Sequence, residues 1–84
     1  MKSVAFSKAA EADLEAALNR YHTISVKLAE RLHALLKISF QNISLHPKAW
    51  PPYFEDFRKI NLDPFPYAVV YEEMPEIIRI VAIV

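Results

Sequence analysis

Val4 and Phe6 share parity, so the run from Lys2 to Phe6 predicts a short strand with one buried face. The spacing then changes. Leu14, Ala17, Leu18 and Tyr21 recur at intervals of three and four, which predicts a helix over residues 8–22. Ser7 can cap it, and Glu11, Asp13 and Glu15 place negative charge near its positive end. Leu28, Ala29, Leu32, Leu35, Leu36, Phe40 and Ile43 form a second, stronger stripe, with Arg31, Lys37 and Gln41 off it. This second helix is expected to end at Leu45, because the residue before Pro47 resists helical geometry. At 1.5 Å per residue it spans roughly 30 Å. Thr23 or Ser25 can break the chain between the two. A link of two to four residues there implies an antiparallel helical hairpin.

Beyond the hairpin the period becomes two. His46 to Tyr53 holds three prolines and Trp50 and reads as a loop. Phe57 to Leu62 predicts a strand with Arg58, Ile60 and Leu62 on one side and Lys59 and Asn61 on the other. Asp63-Pro64-Phe65-Pro66 is a turn. Tyr67 to Glu72 is the next strand, with Tyr67, Val69 and Tyr71 facing one way and Ala68 and Val70 the other. A turn containing Pro75 leads into the last strand, Ile77 to Val84, rich in β-branched residues. The expected fold is α+β, in the order β-α-α-β-β-β. A helical hairpin lies on one face of a small antiparallel sheet, and residues 1–84 form a single domain.

The last strand breaks the alternation. Strict parity places Ile78, Ile80, Ala82 and Val84 on one face and Ile77, Val81 and Ile83 on the other, so both faces are apolar. Two helices cover one face only. A contiguous apolar patch left on the second is a surface for a partner. The plainer alternative is a central strand shielded by neighbouring Tyr and Phe side chains.

Composition narrows the function classes. Ten basic and ten acidic residues cancel, so no long-range field draws the chain to phosphate. There is no cysteine, which fits a reducing cytoplasm for a domain of this size. The first residues lack the apolar core of a signal peptide, and the apolar run from Ile77 is far short of a membrane span. There is no glycine, so phosphate-cradling glycine loops and nucleophile elbows are excluded. His22, His33 and His46 have no ligand spacing, and neither metal nor cofactor is expected.

Several stretches together resemble the RelE/ParE toxin superfamily: Ala10-Glu11-Ala12-Asp13-Leu14-Glu15, Leu28-Ala29-Glu30-Arg31-Leu32, and the His46-Pro47 helix end. Most specific is Arg58-Lys59 followed by Phe65-Pro66-Tyr67-Ala68-Val69-Val70-Tyr71 and Ile78-Arg79-Ile80-Val81-Ala82-Ile83. The likeness runs over essentially the whole chain. It implies the toxin half of a bacterial type II toxin–antitoxin module, neutralised by a cognate antitoxin that adds to its sheet or groove. ParE-like members inhibit DNA gyrase; RelE-like members cut messenger RNA on the ribosome. RelE-like nucleases use a His/Arg-containing segment after the last strand, and it has no counterpart among residues 1–84. That and the neutral charge favour the ParE-like side. A decayed, non-toxic binding module is a further alternative.

Cleavage of RNA would need a base, an acid and a cation near one phosphate. Arg58, Lys59 and Arg79 could supply cations, and Tyr67, Tyr71 or His46 could carry protons. The plainer reading makes Lys59 a solvated strand residue, makes the tyrosines packing, and pairs Arg58 and Arg79 with Glu55, Asp56, Glu72 or Glu73. Trp50 reads as a clamp for its loop, with a binding anchor as the alternative. The expected antitoxin-binding residues are Arg58, Ile77, Arg79, Val81 and Ile83. A homodimer through the same face is the expected alternative when no antitoxin is present.

Overall fold

The computed structural model describes all 84 residues. The elements are β1 (Ser3–Phe6), α1 (Lys8–Ile24), α2 (Val26–Leu45), β2 (Pro52–Phe54), β3 (Phe57–Asn61), β4 (Ala68–Glu73) and β5 (Ile77–Ile83). The strands form one sheet in the order β1-β5-β4-β3-β2. The α+β architecture and the helical hairpin on one sheet face agree with the pattern of the sequence.

Three details differ. The sheet is mixed rather than wholly antiparallel, because β1 pairs parallel to β5. The helical hairpin that joins β1 to the rest of the sheet is long enough to allow a parallel return, which a tight turn is not. The proline-rich segment read as a loop contributes a short edge strand, β2, paired to β3 with an irregular register. Proline is tolerated there because an edge strand has one unpaired side. The two helices are joined by Ser25 alone. It closes α1 through its N–H, which donates to the Tyr21 carbonyl, and caps α2 through its hydroxyl oxygen, which accepts from the Leu28 N–H at 3.3 Å. With no glycine in the chain, the turn from β2 to β3 puts Glu55 at a φ of 49°.

Ser7 caps α1 as expected, its oxygen accepting from the Ala10 N–H at 3.0 Å. The stripes of the two helices bring Ala10, Ala17, Leu32, Leu36 and Ile43 onto the sheet, where they meet Ile60, Val69, Tyr71, Ile78, Ile80 and Ile83 in one core. Leu62 and Phe65, from the segment between β3 and β4, belong to the same core.

The cross-strand register shows which face each residue takes. Arg58 and Ile60 pair with Tyr71 and Val69, and these pair with Ile80 and Ile83, all on the helix side. Phe57, Lys59, Val70, Glu72, Arg79 and Ala82 share the opposite, outer side. A register shift between Val70 and Tyr71 sets two β5 residues, Val81 and Ala82, against Val70. This bulge reverses the parity of the strand's end. Ile83, expected on the outer face with Ile77 and Val81, instead points inward and is buried. The amount of apolar surface left uncovered is therefore smaller than strict alternation implies.

Candidate functional site: the open face of the sheet

No helix covers the outer side of the sheet, whose residues lie outside the core cluster. Ile77, Val81 and Ala82 of β5 are half-buried there and Arg79 is exposed. Glu72 on β4 holds Arg79 by an ion pair at 3.3 Å. Val70 and Ala68 are nearly sealed by their neighbours in the sheet. Toward the β2 edge the face turns aromatic. Tyr53 and Phe54 are the large exposed rings, at 55 % and 60 %. Phe54 stacks on Phe57, with centroids 6.4 Å apart, and the Lys59 ammonium sits 4.6 Å from the Tyr53 ring centroid. Val81 keeps the outward parity of Ile77 and Arg79, and Ala82 joins it on this face only because of the bulge.

The four residues considered for catalysis do not converge. Arg58 and Lys59 are consecutive and therefore face opposite sides. Arg58 is turned to the helix side, where its guanidinium donates to the Trp50 carbonyl. Tyr67 lies beside Tyr21, with ring centroids 6.2 Å apart. Lys59 and Arg79 share the outer face, but β4 lies between them and their register positions are two residues apart, which separates their backbones by roughly 10 Å or more. His46 ends α2 in the open. Of the five expected antitoxin contacts, Ile77, Arg79 and Val81 are together on the open face. Arg58 and Ile83 are on the other side of the sheet.

Arg58 is engaged within the chain. It is paired across strands with Tyr71, whose hydroxyl donates to the Pro47 carbonyl at 2.7 Å. Together they fix the segment from Pro47 to Trp50, and Trp50 packs on the core. Burial pushes the Tyr71 phenol above its ordinary range, and the nearby Arg58 charge opposes this in part. Glu73 is held below the usual carboxylate range, chiefly by the hydrogen bond from Lys2 Nζ at 2.8 Å. Lys2 also donates to the Met74 carbonyl, which ties the chain's start to the β4–β5 turn.

One contact is absent from the sequence reading. Asp13, taken there only as helix-end charge, accepts a hydrogen bond from the Ile83 N–H at 3.0 Å. The Ser7 hydroxyl donates to the Val81 carbonyl at 3.1 Å. β1 ends at Phe6, so these two side chains take over where its backbone stops. The signal was present: Asp13 falls between Ala10, Leu14 and Ala17, on the stripe that faces the sheet.

Residues 4–84 match the family described as the ParE toxin of type II toxin-antitoxin system, parDE. The chain belongs to that family. A solved structure titled "Chromosomal ParDE TA system from P. aeruginosa" superposes with a TM-score of 0.78 over 99 % of this chain and 94 % of that one, at 19 % identity, which is a likeness of fold. No curated protein matches the sequence. No helix is long and apolar enough to cross a membrane.

Proposed function

We propose that this chain inhibits growth by acting on DNA gyrase in the cytoplasm, and that a cognate antitoxin neutralises it by covering the open sheet face around Ile77, Arg79 and Val81. The observation that carries the reading is that face itself. It presents Ile77, Val81 and Ala82 beside an exposed arginine, and no element of this chain lies over it. A surface of that make-up gains free energy when another chain removes it from water.

The choice of gyrase over messenger RNA rests on chemistry. Arg58, Lys59, Tyr67 and Arg79 are divided between two sides of a sheet, and Arg58 is occupied by the Trp50 carbonyl. General acid–base cleavage needs its groups within hydrogen-bond reach of one phosphate. The neutral chain also lacks the cation excess that gripping RNA requires. In the absence of antitoxin, a second copy of this chain is the natural occupant of the same face.

Induction of the gene alone tests this. The expected outcome is growth arrest with intact transcripts, loss of gyrase supercoiling activity, and rescue by the protein encoded in the adjoining reading frame. Normal growth overturns the toxin reading and leaves a non-toxic binding module. Transcripts cut on translating ribosomes replace gyrase by messenger RNA as the target.

A further inference from the structure

The break between the two helices is one residue wide. α1 ends at Ile24, α2 begins at Val26, and Ser25 alone leaves helical geometry, at φ −162° and ψ 123°. That is ordinary extended backbone, open to any residue. Helices are commonly stopped by a glycine just past the end or a proline soon after it. Residues 8–45 contain neither.

The extended Ser25 interrupts the helical ladder. Its own N–H still donates to the Tyr21 carbonyl, and its carbonyl accepts from the Ala29 N–H. Between these, the Val26, Lys27 and Leu28 N–H groups would serve the His22, Thr23 and Ile24 carbonyls in an unbroken helix. Only Leu28 finds a substitute within the chain, the Ser25 hydroxyl oxygen at 3.3 Å.

The apolar pattern does not restart at the break. Leu14, Leu18, Tyr21, Ser25, Leu28, Leu32, Leu35 and Ser39 follow one another at alternating intervals of four and three. The helices of a hairpin must each face the core, but they need not share a phase. A shared phase is what one helix running through Ser25 requires. A one-residue link also sets residues equally far from Ser25 opposite each other. Two straight helices, antiparallel and centred on Ser25, set the same residues opposite each other across two chains. The main partners of β1 and α1 all lie beyond Ser25. β1 pairs with β5, Lys2 Nζ meets Glu73 at 2.8 Å, Ser7 donates to the Val81 carbonyl, and Asp13 accepts from the Ile83 N–H.

We infer that two copies of this chain exchange β1 and α1. Ser25 turns helical, residues 8–45 become one helix of roughly 57 Å, and β1 and α1 of each copy pack on the sheet and α2 of the other. The exchange regains the helical bonds of Val26, Lys27 and Leu28 and gives up the Ser25 cap. The open sheet face is built from β3, β4 and β5, all on one side of the hinge, so each lobe keeps its own. The exchanged form presents that face twice, and its assembly needs neither antitoxin nor gyrase.

Chemical cross-linking of refolded protein is the test. A carbodiimide joins the Lys2 amine to the Glu73 carboxylate, which are in contact. An equal mixture of light and heavy-isotope chains is unfolded, refolded dilute or concentrated, cross-linked and digested. Exchange gives Lys2–Glu73 links between a light and a heavy chain in about half of the dimer's links. Monomers, and dimers formed through the open face, give none. Ser25→Ala removes the α2 cap and favours the helix, and should raise the dimerisation constant about 100-fold. Two glycines inserted after Ser25 should abolish the mixed links. Links confined to one chain, in both the wild-type protein and Ser25→Ala refolded concentrated, overturn the proposal. So do mixed links that persist at the same level with the glycines inserted. A dimer that carries no mixed links and disappears in Ile77→Lys with Val81→Lys overturns it as well, because the open face then holds the second copy.

Discussion

The two faces of this sheet are made from the same strands but ask different things of their residues. The inner face carries Ile60, Val69, Tyr71, Ile78, Ile80 and Ile83, packed under two helices. The outer face carries Phe57, Lys59, Glu72, Arg79 and Ala82, with Arg79 paired to Glu72 at its surface and no helix above it. Stability in so small a domain must come from the inner face, because that is where apolar area leaves the water. The outer face is then free to be read by another chain. Substitutions that separate stability from binding therefore test the division.

The largest effect is expected at Ile80, which is fully buried. Ile80→Ala should cost about 3 kcal/mol in urea unfolding, a large share of the stability of a chain this size, whereas Ile77→Ala on the outer face should cost less than about 1 kcal/mol. Equal losses at the two positions would erase the distinction between the faces. Asp13→Ala is next. It strips the Ile83 N–H of its charged acceptor, and about 1–3 kcal/mol should be lost together with faster exchange of that amide. An unchanged exchange rate would mean that the end of β5 is held without Asp13.

Tyr71→Phe removes the bond to the Pro47 carbonyl and should cost about 1 kcal/mol, with a shift in Trp50 emission as the loop loosens. The same residue gives a pH signature. Its folded-state pKa lies above the unfolded one, so its contribution is complete below the ordinary tyrosine value and is lost as pH rises through the folded value. Unfolding curves at alkaline pH should show this decline in the wild-type chain, and a weaker one in Tyr71→Phe. The smallest effect belongs to Glu73. Its folded-state pKa is lowered, so its contribution is present above the ordinary glutamate value and lost as pH falls through the folded value. Glu73→Gln should flatten that acid limb slightly, and added salt should remove the difference.

Most of the fold was legible because its signals are local. Ser7, the two apolar stripes and Pro47 mark the helices, and parity in β3 and β4 assigns Arg58, Lys59, Tyr67 and Val70 to their sides. What was not legible depends on contacts far apart in sequence. The bulge at Val81 is set by pairing with Val70, and it alone decides that Ile83 faces the core and Ala82 does not. The parallel pairing of β1 depends on where the helical hairpin returns the chain. The partner of Arg58 was expected among acidic side chains or outside the chain, because its actual acceptor is a backbone carbonyl, a group that every residue carries and no side-chain pattern reveals. The exposed Tyr53 was hidden in a segment that its prolines marked as loop, and Phe54 fell just past its end with no element assigned to it.

The separation of the two faces is tested most directly by one double variant, Ile77→Lys with Val81→Lys. Titrated against the antitoxin in a calorimeter and melted alone, it should bind at least about 100-fold more weakly than the wild-type chain while its melting temperature moves by only a few degrees. Full-strength binding by this variant would contradict the account, because the open face would then not be where the antitoxin sits.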